Sequence, residues 1–384
     1  MNQVNLIFVD ENNHNKFYNM TDIGNGKFKA EWGRVGSKGQ CMEYWMSMWN
    51  DKLNSKLTKG YVEIAKSTQV RSTTALKIDD PQVKELINYL MKAAKSTLEA
   101  SYQVSAGEVT QGQIDEAQSL IDKASRLLKT GRHTQESLNA ILKDLYRVIP
   151  RRMADTRRYF LRDDYQLPFA MELLQAEQSL LDTLETQSKG NMQKMTLNAL
   201  GLDIQVASQA DRDLIAAKTD FNVSGNRVFK VTNQKTEAVF KTGKQTKLLY
   251  HGTRNSNWLS VLQKGLKIRP SGVQTTGSMF GNAIYFANRA RKSLGYTSLR
   301  GSYWASGAEN IGYLAVFEVN TGKEWHLLKN QRYQSWMSRI DTARVKKEGC
   351  DTVYAKGGVD LRNDEFVIYD SARCTIRYLI EVKR

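Results

Sequence analysis

Cysteine and proline are both scarce, with three and four copies in 384 residues. Cys41, Cys350 and Cys374 lie far apart with no metal-ligand spacing. This argues against a disulfide framework and against a zinc site, so no metal is expected, and it fits a reducing compartment. With so few prolines and no low-complexity tract, long disordered linkers are not expected and domains should be joined tightly. No run approaches the roughly 18 apolar residues that span a bilayer. The start MNQVNLIFVDENNHNK lacks the basic opening and long apolar core of a secretion signal. An intracellular, soluble protein with no membrane partner is the expectation. The chain also lacks a Walker phosphate loop and any strand, GxGxxG and helix in succession, which argues against P-loop and dinucleotide folds.

What is present in excess is positive charge. The formal net charge is +16, but it is unevenly spread. Residues 1–75 hold 10 basic and 7 acidic residues, 76–195 hold 17 of each, and 196–384 hold 29 against 16. A polyanionic partner, nucleic acid or an anionic substrate, is implied mainly for the last part. A basic surface that merely maintains solubility is the plain alternative.

Texture divides the chain at the same places. Residues 1–75 contain short aromatic and β-branched runs, NLIFVD, KFYNMTDI and KFKAEWGRV, separated by turn clusters. Trp45, Met48, Trp49 and Leu53 follow at helical spacing, so a helix face should cover a small sheet. From Asp79 and Asp80 before Pro81 the pattern turns helical, with Val83, Leu86, Ile87, Leu90 and Met91 on one stripe, and it stays so to about 195. These stripes are read as core. After 195, short strands such as KLLYHG, AIYFAN and EFVIYD alternate with loops and short helices, which predicts an α+β domain with a largely antiparallel sheet.

Three motifs in the last part carry chemistry. LLYHGTRNSN ends a strand on His251, Gly252 and Thr253, placing an imidazole, an approachable backbone and a hydroxyl together. TTGSMFGNAIYFANRARKSLGYT sets Tyr285, Ser293 and Tyr296 where two phenol rings could sandwich a flat heterocycle. LRNDEFVIYD puts Glu365 at the start of an apolar strand, beside Asp364, where a carboxylate can stabilise an oxocarbenium-like centre. Taken singly, each has a structural reading: a hydrogen-bonded strand-end histidine, core aromatics, a solvated glutamate.

In combination they are specific. HG[ST], GxMFGxxIYFA, KSxxY and NDEFVIYD, in this order over 196–384, closely resemble the catalytic domain of the poly(ADP-ribose) polymerases. GEVTQGQIDEAQSLI and LKDLYRVIPRR resemble the helical regulatory domain of the DNA-dependent members. WGRVGSKG resembles the module named for its Trp-Gly-Arg. The resemblance implies a multidomain α+β protein: a sheet-plus-helix WGR module (1–75), an all-α autoinhibitory bundle (76–195) and a transferase domain with a split antiparallel sheet (196–384).

It further implies that NAD+ is consumed as substrate and that no cofactor is permanently bound. His251 would hold the adenosine ribose. Gly252, with Thr253 beside it and Ser293 assisting, would bind the carboxamide, and Tyr285 and Tyr296 would flank the nicotinamide. Glu365 would steady the developing cation and orient the acceptor. Asn257 matches an adenosine-side position, and Lys267 one beside the adenine or the diphosphate. Trp32 and Lys38 would touch DNA, with Arg34 reaching towards the helices. The chain departs from the pattern at Ser278, Asn282 and Ala283, on the acceptor side of the cleft. DNA with breaks, acceptor proteins and the chain itself are the implied partners. The location would be nuclear in a eukaryote, cytoplasm or nucleoid otherwise. The competing expectation is an inert nucleic-acid binder on a transferase scaffold, since GSKG also resembles the GxxG loop of some RNA-binding domains.

Overall fold

Period-two alternation of apolar and polar residues builds the first sheet: β1 (Gln3–Val9), β2 (Asn15–Gly24), β3 (Lys27–Arg34), β4 (Gln40–Trp45) and β5 (Val62–Glu63). The strands pair antiparallel in the order β4-β3-β2-β1-β5. The computed structural model describes residues 2–64, 77–131, 133–162, 167–188, 196–268, 279–300, 308–328 and 331–384. Its contacts form two units, Met1–Ser72 with Ser96–Gly190, and Thr73–Lys95 with Asn191–Arg384.

In the first unit, one face of the sheet buries Leu6, Tyr18, Met20, Phe28 and Ala30, and α1 (Trp49–Thr58) lays Trp49 and Leu53 against it. The expected helical stripe is shorter than its spacing suggested. β4 pairs Trp45 with Lys27, so the helix begins only at Trp49, and Trp45 and Met48 are left 62% and 38% exposed. Between β3 and β4 the chain turns at residues 35–39. A Cβ on Gly39, whose φ is +71°, would lie 2.7 Å from both Phe17 and the Trp32 carbonyl oxygen, so only glycine closes the turn.

The described residues of 81–188 form α2 (Pro81–Ser101), α3 (Gln111–Thr130), α4 (Gln135–Val148) and α5 (Leu167–Ser188), with short 3₁₀ turns among them. The Asp80 carboxylate accepts from the Gln82 and Val83 amides at 2.8 and 3.0 Å, a cap that stabilises α2 by about 1 kcal/mol. A Thr110–Gln113 capping box opens α3, and left-handed Gly131 closes it. The division between units falls within α2. Its Val83, Leu86, Ile87, Leu90 and Ala94 are buried in the core of the second unit.

The second unit holds two sheets. One has the order β6-β7-β14-β10-β8, from Leu202–Val206, Val228–Asn233, Cys374–Lys383, Ile311–Asn320 and Thr246–Gly252. The other has the order β11-β12-β13-β9, from Glu324–Leu327, Thr352–Ala355, Glu365–Ile368 and Ile284–Phe286. All pairs are antiparallel except β11 with β12. Short helices α6 (Gln209–Lys218), α7 (Gln234–Glu237), α8 (Trp258–Lys264), α9 (Ala290–Leu294) and α10 (Thr342–Lys347) fill the connections.

Candidate active site

The two sheets of the second unit meet where Tyr250 of β8 bridges Ala287, by N–H···O bonds of 2.8 and 3.0 Å in both directions. That bridge sets the site. Backbone groups alternate along a strand, so Gly252, two residues on, turns its N–H and C=O to the same side as those of Tyr250, away from β10. β8 is the sheet edge there, with β10 on its other side. α9 lies so close that a Cβ on Gly252 would collide with the Ser293 carbonyl. Glycine is therefore fixed at 252 by contact. Ser293 itself is buried.

His251, between these two residues, points the other way. Its Nδ1 lies 3.1 Å from the Tyr285 carbonyl, and its ring meets Phe286 and Phe317 edge-on. A carbonyl only accepts, so Nδ1 carries the hydrogen and neutral Nε2 presents a lone pair. Burial lowers the imidazole pKa, although the bond to Tyr285 opposes it, and the ring is neutral near pH 7. Thr253 and Asn257 engage each other, the Asn257 amide donating to the Thr253 hydroxyl at 2.9 Å.

Tyr285 pairs with Val367 of β13, two residues beyond Glu365. Its hydroxyl donates to the Gly281 carbonyl at 2.7 Å and accepts from the Phe280 amide at 3.1 Å. The phenol is thus committed to holding the 280–281 turn, and burial raises its pKa well above the ordinary value. Tyr296, just past α9, is 54% exposed. Partial burial and then the Glu365 carboxylate raise its pKa, so the two groups share one region.

Glu365 is buried. Its Oε1 is ion-paired with the Lys292 ammonium, and its Oε2 has no hydrogen-bond partner. Burial raises its pKa while Lys292 pulls it down. Neighbouring Asp364 is fully occupied: Oδ1 accepts from the Gly357 amide at 2.8 Å, and Oδ2 from Tyr354 at 2.6 Å and Asn288 at 3.2 Å. Asp364 has both oxygens taken, whereas Glu365 keeps Oε2 bare.

The structure therefore brings His251, Gly252, Tyr285, Ser293, Tyr296 and Glu365 into one region. Asn257 and Thr253 continue from β8, and Lys267 is exposed in the segment after α8. Asn282 and Ala283 are half-buried beside the Gly281 turn, whereas Gly277 and Ser278 lie outside the described residues. Lys292 is the functional neighbour that sequence reasoning missed. Its signal was the Lys preceding Ser293 in KSxxY.

In the first unit, Arg34 donates to the Met153 carbonyl (3.1 Å), the Ala154 carbonyl (2.9 Å), the Asn13 carbonyl (3.1 Å) and Asn13 Oδ1 (2.7 Å). It joins the sheet to the segment after α4. Trp32 is half-buried, stacked on Tyr18 with centroids 6.1 Å apart, and Lys38 is exposed on the turn.

Residues 205–384 match the poly(ADP-ribose) polymerase catalytic domain, and residues 2–68 match the WGR domain. A poly(ADP-ribose) polymerase-like protein of Invertebrate iridescent virus 6 is 33% identical over 147 residues, covering 37% of this chain and 73% of that protein. Poly(ADP-ribose) polymerase 2 of Homo sapiens is 23% identical over an alignment that covers 100% of this chain and 79% of the human protein. Poly(ADP-ribose) polymerase 1 of Gallus gallus is 23% identical over 92% of this chain and 41% of its own length. The chain belongs to the poly(ADP-ribose) polymerase family and is an ADP-ribosyltransferase of that type.

Proposed function

We propose that this chain cleaves NAD+, releases nicotinamide and transfers ADP-ribose to itself, to other proteins or to nucleic-acid ends when it meets broken DNA. Residues 1–75 serve as the DNA-sensing module, 76–195 as a helical restraint and 196–384 as the transferase. The carrying observation is Glu365: a buried carboxylate with one oxygen neutralised by Lys292 and the other unpartnered.

The chemistry follows from that charge. The C–N bond between ribose C1′ and nicotinamide breaks with its electron pair going to the pyridinium nitrogen, which leaves neutral. Positive charge develops at C1′, and Glu365 stabilises it. An acceptor hydroxyl then bonds to C1′ and gives its proton to Glu365 Oε2. The edge-facing Gly252 N–H and C=O suit the carboxamide, with Ser293 beside them. Neutral His251 Nε2 accepts from an adenosine-ribose hydroxyl, Tyr296 and Tyr285 flank the ring, Thr253 stands beside Gly252, Asn257 lies on the adenosine side, and Lys267 lies beside the adenine or the diphosphate. The excess of 29 basic over 16 acidic residues in 196–384 favours the diphosphate and an anionic product chain.

DNA control rests on Arg34, whose guanidinium ties the sheet to Met153 and Ala154. Such control is a population shift between restrained and open helical states. Incubation with nicotinamide-labelled NAD+, with and without nicked duplex, tests the whole reading. Nicotinamide release stimulated by the nick is expected; no release under either condition would leave an inert nucleic-acid binder.

A further inference from the structure

α1 carries Lys52 and Lys56 on one face, and Lys59, which caps its C-terminal end, follows them, at spacings of four and three. Each of the first two sits over an aromatic ring. Lys52 Nζ is 4.2 Å from the Tyr44 centroid, and Lys56 Nζ is 4.3 Å from Tyr18 and 5.4 Å from Tyr61. Lys16, on the same face of β2 as Tyr18, adds a fourth cation. Tyr18 in turn stacks on Trp32.

These lysines differ from others of the same sheet. Lys27 and Lys29 are ion-paired with Glu43 and Glu31. No ion pair among the described residues involves Lys16, Lys52, Lys56 or Lys59. The pKa of Lys56 is lowered by burial and then by Lys59, Lys52 and Lys16, so those three ammonium groups each repel that of Lys56. Lysines that only cover aromatic surface do not need to be gathered within mutual repulsion, and a few carboxylates would have relieved it. A polyanion would relieve it too. Phosphates of a duplex meet a row of cations with release of counterions, and the part-exposed rings of Tyr44 and Tyr61 beside the row suit contact with sugars.

We propose that the face formed by Lys52, Lys56 and Lys59, with Lys16 beside Tyr18, is a phosphate-binding track for duplex DNA, separate from the Lys38 turn. It rests on the reading of residues 1–75 as the DNA-sensing module.

The test uses the full chain and a fluorescently labelled nicked duplex, titrated over a range of salt concentrations. The unaltered chain is compared with K52Q/K56Q/K59Q and with K52R/K56R/K59R. Loss of three phosphate contacts lowers the slope of log K against log salt by roughly 2 to 3, and the arginine variant restores it. An unchanged slope in the glutamine variant overturns the track while the DNA-sensing reading stands. A loss that arginine fails to restore assigns the lysines to packing and equally overturns it. Should the glutamine variant melt early, Lys59→Gln alone carries the test, because Lys59 covers no ring, with an expected slope change of about 0.9. Failure of the unaltered chain to bind any duplex overturns both the track and the reading beneath it.

Discussion

Lys292 and Glu365 form an ion pair in which the ammonium engages one carboxylate oxygen and the other oxygen, buried, accepts no hydrogen bond. Leaving a buried acceptor unmade costs roughly 1–3 kcal/mol, more when it is charged. Folding alone gives no return for that cost. Under the proposed mechanism, a substrate hydroxyl or a developing cation at Oε2 offsets it.

Glu365→Gln keeps the shape and removes the charge. NAD+ binding should persist, while nicotinamide release falls at least about a hundredfold and chain formation stops. Equilibrium binding and a sequencing gel read the two effects, and long polymer from this variant contradicts the assignment.

Lys292→Met removes the cation that lowers the Glu365 pKa, leaving burial to raise it further. Glu365 acts ionised, so activity is lost as pH falls through its pKa. In the variant that loss should set in at higher pH. A pH profile of nicotinamide release checks this, and an acid limb that does not move argues against the pairing in solution.

Gly252→Ala puts a methyl group into the Ser293 carbonyl, which is backbone and cannot swing aside. α9 must shift, with a stability loss of about 1–3 kcal/mol and a raised KM for NAD+. Thermal unfolding and steady-state kinetics measure both; a variant with wild-type values of each refutes the close approach.

Arg34→Ala removes four hydrogen bonds, two of them to the Met153 and Ala154 carbonyls. Activation by nicked DNA should suffer more than DNA binding. Lysine should not rescue it, because a single ammonium cannot reproduce the guanidinium fork. Equal losses in activation and binding would reduce Arg34 to a simple contact.

Removing the helical restraint should make activity independent of DNA, but the cut must spare the start of α2. Val83, Leu86, Ile87 and Leu90 are buried in the second unit's core, at roughly 1.5–3 kcal/mol apiece. Replacing residues 96–190 by a flexible linker should yield soluble, constitutively active protein, whereas deleting 76–195 should give aggregation. Equal solubility of the two would show the α2 face to be dispensable.

Much of this was legible in the sequence. The short apolar runs in KLLYHG and EFVIYD placed β8 and β13, and the strand-end His251 and strand-start Glu365 with them. Asp80 before Pro81 marked the α2 start. β6, β11 and β12 were not singled out, since LDIQV, EWHL and TVYA lack the run of bulky apolar residues that marks β9 and β13. The α1 face was misjudged at Trp45, since pairing with Lys27 extends β4 against a helical spacing that Trp45 merely imitates.

Composition, periodicity and motif order by themselves determined the mixed architecture, the helical middle and the set of residues able to carry the chemistry, because each depends on local spacing. Tertiary structure alone decided how they are used. The Tyr250–Ala287 bridge aims Gly252, and Asp364 is consumed by Tyr354, Asn288 and Gly357 while Glu365 is left with one oxygen bare. Lys292 becomes the partner of a carboxylate 73 positions away in sequence (365 less 292). Those outcomes depend on which long-range neighbour satisfies each polar group. No local pattern encodes that choice.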